Sequence, residues 1–395
     1  MRLPDRRPLL ATILVVAAVM SSAAGGARAQ TVFYIATDQE LAGAPGTIIR
    51  TQPMQGAPAG AAAYRVLYRS IGLHDEPIAV SGVVIIPAGP APAGGRPIVA
   101  WAHPTTGVVP RCAPSRAMVV FKQMQGLRDM VERGYVVAAT DYPGLGTPGP
   151  HPYLVGVSEG RAVLDAVRAA RDMPGAGGGR RFAVWGHSQG GQAVLYSGIL
   201  AKGYAPDLEL VGVAAAAPAT ELATLMADDL NSAGGRNLTA MTLWSWQRIF
   251  GAPMERVVTP AAIPVVNLLA QECIESVFDI VLRERTTRSL MHSFLSVPNP
   301  LDVEPWKSLA ASNTPGILPS EIPIFLSQGA DDKLVRPEVT KDYMAHLCGA
   351  GSKVRMVLLP KVNHGFIGRD SASAAVDWMA DRFAGNRAPN DCEAQ

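Results

Sequence analysis

Ser188 stands in Gly186-His187-Ser188-Gln189-Gly190, directly after the apolar run Phe182-Ala183-Val184-Trp185. A Gly-x-Ser-x-Gly box at the end of a β-like run forces a sharp turn into a helix, which only small residues on both sides of the serine tolerate. The hydroxyl is then exposed at the sheet edge. The chemistry this suits is nucleophilic attack on an acyl carbon, with a histidine as base and a carboxylate behind the histidine. Seven histidines compete for the base. His187 lies inside the turn itself, His103 ends a strand, His346 sits in a helix-like stretch, and His74, His151 and His292 lie away from the last strand-and-loop unit. His364, in Lys361-Val362-Asn363-His364-Gly365-Phe366, follows the final apolar run, where a base would come over Ser188. The acid is expected on the loop after the preceding strand, where residues 328–335 supply both Asp331 and Asp332. Either aspartate has a plainer alternative as a turn residue bonding its own backbone.

Acyl transfer also needs two N–H groups aimed at the oxygen that becomes negative. The Gln189 amide, directly after the nucleophile, is one candidate. The second is expected in His103-Pro104-Thr105-Thr106-Gly107, where Pro104 has no N–H, so the donor falls on Thr105, with Thr106 next. A second box, Gly156-Val157-Ser158-Glu159-Gly160, follows a Pro/Gly-rich loop rather than a strand, and Ser158 reads as the N-cap of the helix that starts there.

The elements that must position these residues are legible as apolar periodicity. Residues 64–70 and 78–86 read as an antiparallel hairpin around Gly72 and Asp75. Residues 97–102, 135–140, 182–185, 210–217, 322–327 and 354–359 read as further strands. The continuous apolar runs among them suit parallel strands covered on both faces. Residues 118–132 and 158–171 are helix-like between them. This predicts an eight-stranded, mostly parallel α/β sheet. Between Ala217 and Ile322 lie about 100 residues without a clear strand, too long for a bare loop and therefore expected to be an inserted helical cap over the site. The expected organisation is a leader at 1–29, a core at 30–217, a cap at 218–320 and the rest of the core at 321–395.

Residues 1–29 carry Arg2, Arg6 and Arg7, an apolar stretch from Leu9 to Met20 and Ala27-Arg28-Ala29, the pattern of a cleaved secretory signal. The chain is therefore expected to be secreted or periplasmic. Without that segment the net charge changes from +2 to about −1, and no basic run remains, which argues against a nucleic-acid partner. Cys112, Cys273, Cys348 and Cys392 match no zinc or redox spacing, and an even count in an exported chain suggests two disulfides among three possible pairings.

Taken together, His103-Pro104-Thr105-Thr106-Gly107 leading to Cys112-Ala113-Pro114-Ser115, then Asp141-Tyr142-Pro143-Gly144-Leu145-Gly146, the Ser188 turn, Gly329-Ala330-Asp331-Asp332 and Asn363-His364-Gly365 resemble the secretory lipases, a family of α/β-hydrolases. The resemblance implies an α/β-hydrolase fold with a helical cap and carboxylic-ester hydrolysis without a cofactor. It also implies a small-molecule or lipid ester as substrate, with transient contact with a lipid interface. It selects Asp332, three residues after Gly329 and three before Val335, as the acid. It also implies the pairs Cys112–Cys273 and Cys348–Cys392. Pro104 departs from the glycine expected after the histidine. The same three residues could serve an acyltransferase or a peptidase, and the fold could serve a non-catalytic binding protein, since fold and nucleophile do not set the acceptor.

Overall fold

The computed structural model describes residues 32–274, 283, 286–291 and 293–394. The leader expected at 1–29, and His292, lie outside the described residues. Nine strands form one sheet: β1 Ile48–Met54, β2 Ala61–Ile71, β3 Pro77–Pro87, β4 Arg96–Ala102, β5 Val136–Thr140, β6 Gly178–His187, β7 Glu209–Ala216, β8 Ile324–Gly329 and β9 Val354–Leu359. Their order is β1-β2-β3-β5-β4-β6-β7-β8-β9. The first three strands and the β3–β5 pair are antiparallel, and every pair from β5 and β4 through β9 is parallel.

The sheet therefore has nine strands where the apolar pattern predicts eight. The additional strand is β1, Ile-Ile-Arg-Thr-Gln-Pro-Met, which lies ahead of the expected hairpin and has no buried residue. It is an edge strand containing Pro53, held by its register on β2 (Thr51 opposite Val66, Pro53 opposite Tyr64) rather than by an apolar face. The stretch 118–132 is also not one helix. It divides into Val120–Gln123 and Leu127–Glu132 at Gly126, whose φ of 78° ends the helical run.

Helices cover both faces. In β7, Gly212 faces Trp378 of the helix Ala372–Phe383, while the next residue, Val213, faces Gly198 of the helix Gln189–Tyr204, as the two-residue alternation of a strand requires. Gly156–Asp172 packs beside Gln189–Tyr204, bringing two long helices onto the central strands. The strand residues beneath, from Ile98 to Ala102 and from Val136 to Thr140, are all buried. Burying the side chains of such strands supplies roughly 1.5–3 kcal/mol for each large aliphatic residue.

Between β7 and β8 the described residues contain the helices Leu222–Asp229, Ala233–Phe250, Ile263–Gln271 and Trp306–Asn313, and one isolated antiparallel bridge between Val258 and Leu295. The second of these is tied to the loop ahead of Gly156–Asp172. Ser245 Oγ donates to the His151 carbonyl at 2.6 Å, and Trp246 Nε1 donates to the Tyr153 carbonyl at 2.9 Å. The third is tied to the loop after β4, where the Ile274 N–H donates to the Thr106 carbonyl at 2.7 Å and a disulfide joins Cys112 to Cys273. A second disulfide joins Cys348 to Cys392. These are the two pairs implied by the resemblance.

Candidate active site

Strand β6 ends at His187 and the next helix begins at Gln189, so Ser188 alone makes the turn, with φ 60° and ψ −118°. A non-glycine residue there is strained by about 1–3 kcal/mol and persists because its surroundings enforce it. The Ser188 N–H donates to the Ala216 carbonyl at 2.9 Å, and the Gln192 N–H donates back to the Ser188 carbonyl at 3.1 Å. The flanking glycines are a packing necessity. A Cβ at Gly186 would lie 2.2 Å from the Gly190 carbonyl oxygen, and one at Gly190 would lie 2.0 Å from the Ala102 carbonyl oxygen.

His364 opens the short helix His364–Asp370, with Asn363 capping it through the Gly365 N–H. Its Nε2 lies 2.8 Å from Ser188 Oγ and its Nδ1 lies 2.8 Å from Asp332 Oδ2. Asp332 is buried, and its carboxylate is held from three sides. Oδ1 accepts the Leu334 and Val335 N–H groups at 2.9 Å each, and Oδ2 also accepts from Gln328 Nε2 at 3.2 Å. An ionised carboxylate only accepts, so Nδ1 of His364 carries the proton and Nε2 is left to accept the serine hydroxyl. Asp331 is exposed, and its N–H serves the Val362 carbonyl instead.

Of the described histidines, His364 is the one hydrogen-bonded to Ser188. His187 is buried with its ring 4.9 Å from that of His364, and burial holds it well below the usual imidazole range. His103 is fully buried after β4, and burial lowers it to about 4. His74 and His346 are exposed.

Ser158 is not a cap. Its helix starts two residues earlier at Gly156, with Val155 in the cap position and no side-chain cap bond. The chain's entry is instead held by Glu159, whose Oε1 accepts the Leu154 N–H at 3.0 Å. This residue belongs to a buried cluster that apolar periodicity and spacing do not reveal. Gln189 Nε2 donates to Glu159 Oε1 at 2.8 Å and to His151 Nε2 at 2.7 Å, while His151 Nδ1 donates to the Pro143 carbonyl at 2.9 Å. Burial raises Glu159 to about 8 and lowers His151 to about 3, so both are neutral near pH 7. The only sequence signal was a glutamate in a second Gly-x-Ser-x-Gly box. The cluster grips the side chain whose own backbone N–H follows Ser188.

That N–H is the first of a 16-residue helix and has no acceptor within it, so it is free to meet negative charge. Thr105 lines the same cavity as Ser188 and His364, its Oγ1 2.9 Å from the Tyr153 hydroxyl. This cavity, about 510 Å³, is also walled by Leu238, Ile274 and Leu334. A smaller space of about 40 Å³ lies against Ser188 and Gln189. Among the described residues, no group of three or more His, Cys, Asp or Glu side chains is placed to hold a metal ion.

The chain is similar to known proteins over most of its length. It is 28% identical over 194 residues to a probable inactive lipase of Mycobacterium tuberculosis (strain CDC 1551 / Oshkosh), covering 45% of this chain and 43% of that protein. It is 26% identical over 351 residues to a secreted triacylglycerol lipase of Malassezia globosa (strain ATCC MYA-4612 / CBS 7966), covering 84% of this chain and 74% of that one. Among solved structures, Candida antarctica lipase A superposes with a TM-score of 0.74 at 18% identity, over 89% of this chain and 85% of that chain. With the mostly parallel sheet described above, this likeness makes the fold that of an α/β-hydrolase. Residues 113–391 match the secretory lipase family, and the chain belongs to that family.

Proposed function

We propose that this protein is an exported hydrolase of carboxylic esters that works through an acyl-enzyme on Ser188. The observation that carries the reading is the unbroken hydrogen-bonded line from Ser188 Oγ through His364 to Asp332, 2.8 Å at each step. His364 Nε2 takes the hydroxyl proton as Ser188 Oγ bonds to the ester carbon. Asp332 holds the tautomer and balances the imidazolium. The Gln189 and Thr105 amides receive the oxyanion. The C–O bond to the alcohol breaks as His364 returns the proton to the departing oxygen. Water then repeats the cycle: its proton passes to His364, its oxygen joins the acyl carbon, and Ser188 leaves with the proton. Residues 218–320 act as a cap over this site. The family, the two disulfides and the leader pattern at 1–29 support export.

The test is Ser188→Ala on the purified chain. Activity on a soluble ester is expected to fall on the order of 10⁴-fold or more, and labelling by a fluorophosphonate to disappear, with the fold intact. Ser158→Ala, inside a helix, retains both. A Ser188→Ala protein with a tenth of the original activity would refute the assignment.

A further inference from the structure

Ser188 stands between two cavities of unequal size, and the unequal volumes specify what kind of ester fits. The larger, about 510 Å³, is bordered by His364 and Thr105. The smaller, about 40 Å³, is bordered by Gln189 but not by His364. Leu238 and Leu334 line both and so stand between them. Leu222, Leu225 and Met226 of the helix Leu222–Asp229, all three buried, wall the small cavity.

The chemistry assigns each side, given the triad reading above. When the tetrahedral intermediate collapses, the departing alcohol oxygen must receive the proton from His364 Nε2, so the alcohol occupies the cavity that His364 borders. The oxyanion points at the amides. The acyl chain is left with the direction away from His364, into the smaller cavity. At about 40 Å³ against about 510 Å³, the smaller cavity leaves room for only a short chain of a few carbons beyond the carbonyl. The larger cavity is in the range that encloses a drug-sized molecule, and Pro104, Ile274 and the two leucines give it an apolar wall. We propose that this protein is selective for short acyl groups, acetyl to butyryl, carried on large and mainly apolar alcohols, with Met226 and its neighbours setting the acyl limit.

The experiment uses the purified full chain and two ester series. Across p-nitrophenyl esters from acetate to dodecanoate, kcat/KM is expected to fall at least tenfold between butyrate and octanoate. Across acetates of ethanol, benzyl alcohol and naphthylmethanol, alcohols of similar acidity, it is expected to rise with size. Met226→Ala lengthens the small cavity and is expected to raise the octanoate-to-acetate ratio of kcat/KM at least tenfold, since one methylene in an apolar pocket is worth about 10–200-fold. Leu225→Ala replaces it if that variant does not fold. Better turnover of octanoate than of butyrate by the unaltered chain, or an unchanged ratio in the variant, would overturn the inference and leave the triad standing. No turnover of any ester, with no fluorophosphonate labelling of Ser188, would overturn the triad reading and this inference with it.

Discussion

Asp331 and Asp332 are adjacent and chemically identical, and their surroundings give them different expected roles. Asp332 Oδ1 receives two backbone N–H groups while Oδ2 faces His364. An asparagine there would keep its oxygen on the two amides and turn its NH₂ toward Nδ1. That NH₂ cannot accept, so the imidazole proton would move to Nε2, facing Ser188. Asp332→Asn is therefore expected to lower kcat on the order of 10⁴-fold, whereas Asp331→Asn, at an exposed site, stays within about twofold. Steady-state kinetics on a soluble ester decide it, and the reverse ranking would transfer the role to Asp331.

The disulfides act at the scale of elements, and they are expected to separate by what each one holds. Cys112–Cys273 links the loop after β4, which carries Thr105, to the end of the helix Ile263–Gln271. Cys348–Cys392 links the helix Pro337–Gly349 to the chain's last turn, where Asp391 also accepts the Met356 N–H of β9 at 2.8 Å. Removing them by paired Cys→Ala substitution should cost, through chain entropy, about 5 kcal/mol for the 161-residue step closed by Cys112–Cys273 and about 4 kcal/mol for the 44-residue step closed by Cys348–Cys392. Only Cys112→Ala with Cys273→Ala loosens the wall of the large cavity, so that pair should lower kcat/KM several-fold more than Cys348→Ala with Cys392→Ala. Urea midpoints alongside kcat/KM for both pairs test this, and equal kinetic effects would count against it.

Across the whole molecule, the neutral groups sealed behind Ser188 make folding depend on pH. Glu159 is raised from 4.5 to about 8, so the folded chain keeps a proton that the unfolded chain releases above pH 4.5. Its effect is to lower stability as pH rises, up to about pH 8. His151, lowered from 6.5 to about 3, acts in the opposite direction, because below pH 6.5 the unfolded chain binds a proton that the folded chain refuses. His187 adds to it. Above pH 6.5 the histidines no longer contribute, and the Glu159 effect remains at about 1.4 kcal/mol per pH unit. Stability is therefore expected to fall by about 2 kcal/mol between pH 6.5 and 8, and Glu159→Gln to flatten that decline. Urea titrations across pH 5–8.5 measure both, and a Glu159→Gln slope equal to that of the unaltered chain would refute the assignment.

Local composition by itself determined the buried strands, since a run such as Ile98-Val99-Ala100-Trp101-Ala102 has one economical place in a folded chain, between two layers. It likewise determined the turn at Ser188, because Gly-x-Ser-x-Gly after a strand is a backbone conformation written in residue type, and it singled out His364 by its place after the last strand. It did not determine β1, whose polar residues gain their partner only when β2 is laid beside them. Nor did it separate Asp331 from Asp332 without the family resemblance, since both satisfy the same spacing. Tertiary structure alone decided the cluster of Glu159, Gln189 and His151 and the unequal cavities beside Ser188. Those features depend on which side chains meet across the fold, as Ser188 and His364 do across 176 positions of chain, and the periodicity of a single segment carries no record of its distant neighbours.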